Sequence, residues 1–146
     1  MGRRPRRDAN PRSQVILVDT SVWVEYLRNT GSDSHIRLRL LMKTEAELAI
    51  TDAVRLEVLA GARDDIHEQN LKRLLARAVI LPTHPAHYDH AAAVYRSCRR
   101  RGETIRKLLD CLIAAVAIQS GVPVLHADSD FEIMAHHTDL EVVALP

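Results

Sequence analysis

Short apolar runs alternate with amphipathic segments along almost the whole chain, and this alternation constrains the fold more than any other feature. "VILV" (residues 15–18), "ELAIT" (47–51), "VIL" (79–81), "PVLHA" (123–127) and "LEVVAL" (140–145) each read as a short buried strand. Between them lie helical patterns. One runs from a candidate cap at Asp19 to about Leu27. "SHIRLRLLMKTEA" starts at Ser34, with Ile36, Leu40 and Leu41 as its apolar residues. "TDAVRLEVLAG" opens on a cap-like Thr51 or Asp52 and stops at Gly61. "DDIHEQNLKRLLARA" carries Ile66, Leu71, Leu74 and Leu75 roughly on one side, and "PAHYDHAAAVYRSCRRRG" stops at Gly102. The strongest pattern, "TIRKLLDCLIAAVAIQSG", spans a Thr104 cap to Gly121, and "DSDFEIMAHH" makes a short last helix. Strands alternating with helices predict an α/β fold with a parallel sheet covered by helices. In such sheets sites form at the C-terminal strand edge, where the strand order switches.

A chain of 146 residues, 47% hydrophobic and 27% charged, suits one globular domain. No internal repeat or interior linker divides it. No apolar run reaches the roughly 20 residues of a membrane span, and the basic N-terminus lacks the apolar stretch of a secretory signal. Cys98 and Cys111 form no CxxC pair, so the reducing cytoplasm is the expected compartment. The net charge of +1 hides an asymmetry. Residues 1–14 hold five arginines against Asp8, a net +4, and the remainder has 15 basic and 18 acidic residues, a net −3. The arm reads as a basic, disordered segment or a non-native extension, and residues 15–146 as the folded domain. A mildly acidic body with clustered acids suggests a cation site more than a general polyanion binder.

Five acids stand out by context. Asp19 follows a buried strand directly, which suits a helix cap and a metal ligand equally. Glu57 borders the buried face marked by Val54, Val58 and Gly61, where solvent-facing and site-facing readings are both open. Asp110 interrupts the apolar stretch Leu108–Ile118. An unpaired carboxylate there costs several kcal/mol or changes its protonation. Ala114 and Ala117 share its helical face and would let the helix approach the sheet closely. The bland alternative pairs Asp110 with Arg106, one turn back. Asp128 and Asp130 follow the strand "PVLH", so that one can cap the next helix while the other binds a cation.

Two of these acids sit at strand ends and the others on helices. Carboxylates held together repel unless a cation neutralises them. Oxygen ligands without a His/Cys set point to Mg²⁺ or Mn²⁺. One or two such ions can polarise a phosphodiester and activate water. The eight histidines show no HxH or HxxxH spacing, and His136 and His137 read as exposed surface. Arg96, Arg99, Arg100 and Arg101 read equally as phosphate contacts or as a solvated helix end. Arg106 is assigned a site role, holding a carboxylate or meeting a phosphate. Trp23 reads as packing rather than as a base-stacking platform.

"VILVDTSVWVEYL", "RLEVLAG", "GETIRKLLDCLIAA" and "VLHADSDFEIMA", in this order and spacing, resemble the PIN domain. More narrowly they resemble the VapC ribonuclease toxins of VapBC toxin–antitoxin systems, over essentially all of residues 15–146. The resemblance implies an α/β/α sandwich with a short central parallel sheet and a Mg²⁺- or Mn²⁺-dependent endoribonuclease. It implies structured tRNA or rRNA as substrate, translation as the process blocked, a VapB-type antitoxin as partner and a homodimer as assembly. The family's acidic positions fall on Asp19, Glu57, Asp110 and Asp128. Asp130 matches a supporting acid, and Thr20 and Ser21 match hydroxyls that orient ligands or water. The pattern begins near Val15, so the basic arm departs from it.

Two other classes compete. A receiver-like signalling domain would share the sheet and an acidic pocket. It needs paired acids after the first strand, where Val18 precedes Asp19, and a strand-end lysine, whereas Lys43, Lys72 and Lys107 all fall on expected helices. A non-catalytic RNA- or antitoxin-binding module would not need the full set of acids.

Overall fold

A computed structural model describes residues 14–145, so the basic arm lies, Gln14 apart, outside the described residues. The chain runs β1 (Val15–Val18), α1 (Thr20–Leu27), α2 (Asp33–Met42), β2 (Glu47–Thr51), α3 (Asp52–Ala60) and α4 (Asp65–Leu75). It continues through β3 (Val79–Leu81), α5 (Pro85–Arg100), α6 (Leu108–Ser120), β4 (Val124–Leu125) and α7 (Ser129–His137). The four strands form one all-parallel sheet in the order β3-β2-β1-β4. With helices covering it, this is the α/β/α sandwich expected.

β1 lies inside the sheet, paired on both sides, with Leu17 and Val18 fully buried. It pairs with β2 through Val15↔Glu47, Ile16↔Leu48 and Leu17↔Ala49, and with β4 through Leu17↔Val124 and Val18↔Leu125. The chain steps outward from β1 to β2 to β3, then returns to lay β4 on the other side of β1. The strand order therefore switches between β1 and β4, and the residues leaving those strands are Asp19 and the segment containing Asp128.

Helix α6 is the buried axis of one layer. Its residues 111–117 are all buried, as expected of a helix apolar on every side. Ala114 and Ala117 are wholly enclosed, and α6 packs against α5 and α7. Gly121 ends it in the left-handed conformation (φ 65°), which a Cβ would disfavour. Trp23 on α1 is fully buried, and its indole N–H donates to the Val18 carbonyl at 3.2 Å. It is a core residue that ties α1 to the strand preceding it.

Several sequence expectations change. The helix expected from Thr104 begins only at Leu108, because Lys107 is extended (φ −125°, ψ 122°) and the Arg106 N–H is committed to Asp130. Ile105 is buried in the core by that extended segment, a tertiary demand that overrides helical pattern. Lys107 is thus not helical but stands at the N-cap of α6. The strand expected over 140–145 shrinks to a single bridge, Val142↔Val124, since β4 is only two residues long. On α2 the buried residues are Ser34, His35 and Leu38, while Ile36 and Leu40 face outward. Ile66 is also exposed. Gly61 ends α3 with ordinary right-handed angles. No helix among the described residues is long and apolar enough to cross a membrane.

Trp23→Ala is expected to destabilise the fold by about 3–5 kcal/mol, the usual cost of emptying a large aromatic site. Trp23→Phe should cost less, about 1–3 kcal/mol, mainly for the Val18 carbonyl left unpaired. Urea unfolding followed by far-UV circular dichroism measures both. Equal midpoints for wild type and Trp23→Ala would contradict the assignment of Trp23 to the core.

Candidate metal centre

β1 delivers Asp19 to the sheet edge. Its Oδ2 accepts the Ser21 backbone N–H at 3.0 Å and the Ser21 hydroxyl at 2.6 Å, so Asp19 does cap α1. Its Oδ1 is buried without a hydrogen-bond partner, and the residue is only 3% exposed. The Asp19 N–H donates to the Leu125 carbonyl at 3.0 Å, and the Ser21 hydroxyl accepts the Ala127 N–H at 2.9 Å. These bonds hold the β1 exit against the β4 exit.

Asp110 lies in the first turn of α6, not in mid-helix as the pattern suggested. An acid is favoured there by the N-terminal end of the helix dipole. The residue is nonetheless 5% exposed, and its Oδ2 is buried without a partner. Burial, then the charges of Asp19, Asp128 and Glu57, push its carboxyl up to about 7, against a smaller pull from Lys107. Burial also raises Asp19, opposed by its Ser21 and Thr20 hydrogen bonds and aided by Asp128. Glu57, half-buried on α3, accepts the Thr20 hydroxyl at 3.0 Å. Thr20 thus links α1 to α3, and Glu57 lies close enough to act on Asp110.

Asp128 caps α7 by accepting the Asp130 N–H on Oδ1 at 3.0 Å, while Asp130 turns inward at 4% exposure. Asp110, Asp128 and Asp130 each bring a carboxylate oxygen within 4.8 Å of the others. Arg106 does not pair with Asp110. Its Nη2 reaches Asp128 Oδ1 at 2.8 Å, its Nε reaches Asp130 Oδ2 at 3.2 Å, and its backbone N–H adds a bond to Asp130 Oδ2 at 3.1 Å. The i, i+4 expectation failed because residues 104–107 are not helical.

The structure therefore gathers Asp19, Glu57, Asp110, Asp128 and Asp130 at the switch in strand order, with Thr20, Ser21 and Arg106 bonded to them. Arg99, Arg100 and Arg101 are exposed at the end of α5, where the Arg99 guanidinium lies over the Tyr95 ring. His126 is the residue the sequence did not single out. Its Nδ1 accepts the Asp128 N–H at 3.3 Å, which leaves Nε2 to donate to Glu132 at 3.1 Å, and its ring stacks on Phe131. The available signal was its place in "HADSDFE", two residues before Asp128. His137 is half-buried and pairs with Glu103, not exposed as expected, because the end of α7 folds against the loop after α5.

Two buried carboxylate oxygens without donors, next to three more acids, form a set that no described side chain fully satisfies. A hard divalent cation bound by oxygen fits this donor set better than zinc does, since among the described residues the converging ligand atoms are all carboxylate oxygens.

Comparisons with known proteins show the family. The model of the PIN domain family matches residues 16–137. Ribonuclease VapC11 of Mycobacterium tuberculosis is 42% identical over 132 residues, covering 89% of this chain and 98% of that protein. Among solved structures, VapBC2 from Rickettsia felis, bound to a DNA fragment from its promoter, superposes with a TM-score of 0.72 at 18% identity. That match covers 91% of this chain and 100% of the other. VapC20 of M. tuberculosis, a sarcin-ricin-loop-cleaving toxin, superposes with a TM-score of 0.60 at 20% identity, over 86% and 98% of the two chains. The chain belongs to the PIN domain family and, within it, to the VapC ribonucleases.

Proposed function

We propose that the protein is the toxin of a type II toxin–antitoxin pair, a Mg²⁺- or Mn²⁺-dependent endoribonuclease that cuts structured tRNA or rRNA and so stops translation. The observation that carries the metal reading is the pair of buried, partnerless oxygens, Asp19 Oδ1 and Asp110 Oδ2, at the strand-order switch. Asp19, Glu57, Asp110 and Asp128 are the catalytic acids, and with Asp130 they supply the oxygens that would hold the ion. When bound, the ion supplies Lewis acidity and a water of lowered pKa for attack on phosphorus. Ser21 holds one Asp19 oxygen, while the other stays buried without a partner. Thr20 holds one oxygen of Glu57. Arg106, with a largely exposed side chain, has N–H groups left to meet a substrate phosphate.

A VapB-type antitoxin and a second copy of the chain complete the assembly. Exposed apolar side chains support both partners: Leu27, Ile36 and Leu40 on α1 and α2, and Tyr88, Leu108 and Leu109 beside an apolar groove between α5 and α6. The free, buried thiols Cys98 and Cys111 suit the cytoplasm.

Asp19→Asn and Asp110→Asn are each expected to lower RNA cleavage by roughly a hundredfold or more, since losing a direct ligand costs at least as much as losing its support. Mapping new 5′ ends in total RNA after brief expression, wild type beside Asp19→Ala, identifies the target. Undiminished cleavage by the folded Asp→Asn variants would reject the mechanism.

Asp110 also ties stability to pH. Its folded pKa of about 7 lies above the ordinary 3.8, so the folded state binds the extra proton between these values. The stability this proton supports is complete below the ordinary value and is lost as pH rises through about 7. In EDTA, Asp110→Asn should therefore melt higher than wild type at pH 8, with the gap closing toward pH 4. Adding Mg²⁺ or Mn²⁺ at pH 8 should raise the wild-type Tm and leave the variant nearly unmoved. Identical melting curves with and without metal would count against the cation site.

A further inference from the structure

Arg106 is engaged in a way that bears on how many cations the acid cluster takes. Its guanidinium and backbone N–H occupy Asp128 Oδ1 and Asp130 Oδ2, three bonds of 2.8–3.2 Å. Asp128 Oδ1 also receives the Asp130 N–H. One oxygen of each carboxylate is thus fully committed. Asp19 Oδ1 and Asp110 Oδ2, by contrast, are buried with no donor at all. Among the described residues, the positive charge bonded to the acids lies at the Asp128–Asp130 edge, with a smaller pull from Lys107 on Asp110, and both belong to the chain itself. The backbone bond matters here, because it fixes the segment that carries the guanidinium, and the side chain is not free to drift from Asp130. An arginine remains charged at any working pH, so this charge is permanent.

We propose that the site takes a single divalent cation, held by Asp19 and Asp110 together with the carboxylate oxygens that Arg106 leaves free, and that the Arg106 guanidinium takes the place of a second cation beside Asp128 and Asp130. This rests on the metal-dependent reading above. A resident arginine does half of what a second ion would do. It neutralises Asp128 and Asp130 and offers N–H donors to a phosphate oxygen. Unlike an ion, it offers no exchangeable water. A bound ion would then be the source of activated water, and Arg106 would offer its free N–H groups to the phosphate. Two cations a few ångströms from one guanidinium would repel it strongly, whereas one cation and one guanidinium share out the five acids.

The test counts Mn²⁺ bound per chain, by equilibrium dialysis or by loss of the free-ion paramagnetic resonance signal, for wild type, Arg106→Ala and Arg106→Gln. Circular dichroism confirms that each is folded, and the two neutral variants back each other up if one does not fold. The expected result is one Mn²⁺ per wild-type chain and two per chain in a neutral variant. In parallel, RNA affinity measured with Ca²⁺ in place of Mg²⁺ should weaken roughly tenfold or more in both variants, through loss of a charged phosphate contact. Two ions in wild type, or an unchanged count of one in the variants, would overturn the proposal and leave the metal reading standing. No Mn²⁺ bound to wild type at millimolar concentration would overturn both.

Discussion

The repulsion among carboxylates at the exit of β1 is the constraint on which the rest of the structure depends. Asp19 and Asp110 are nearly as buried as the core, yet each keeps an oxygen with no donor. Such a cluster would spread apart in a loose fold. It is held by a scaffold that gives each acid a rigid base: a central strand for Asp19, the first turn of a fully buried helix for Asp110, and a capped turn for Asp128. Ser21 and Thr20 donate to Asp19 and Glu57, and His126 accepts the Asp128 backbone N–H, so each of these acids is anchored by a neighbour.

The core explains why this is tolerated. Leu17, Val18, Trp23, Ile113 and Phe131 are fully enclosed, and they belong to the elements that carry or adjoin the acids. Local strain from like charges is offset by packing immediately behind it. The cost remains visible at Asp110, whose carboxyl holds its proton to about pH 7. Binding a cation removes that cost, so affinity for the ion and stability of the fold are two readings of one free energy.

Much of this was legible in the residues. The strand–helix alternation announced the parallel sheet, and the five acids could be named because each sat at a strand end or on an apolar helix. Ser21 and Thr20 were legible only as hydroxyls after Asp19. Their partners, Ala127 and Glu57, are distant in sequence, and no local pattern links them. Two of the errors share one cause. Thr104–Lys107 looked helical by continuity, but the Asp130 carboxylate and the burial of Ile105 hold this segment out of the helix. The same tertiary demand reassigned Arg106 from Asp110 to Asp128 and Asp130. The outward turn of Ile36 and Leu40 had no local signal either, since α2 has apolar residues on more than one face.

The Ser21–Ala127 bond joins positions 106 residues apart, across a seam where β1 and β4 share only two residue pairs. That seam has a temporal consequence. During synthesis β1 and β2 can pair early, but Asp128 and Asp130 reach Asp19 only after nearly the whole chain has emerged. An unfinished chain therefore carries Asp19, Glu57 and even Asp110 without the turn that closes the cluster. In chain order, the turn that carries Asp128 and Asp130 is the last part of the acidic centre to be made.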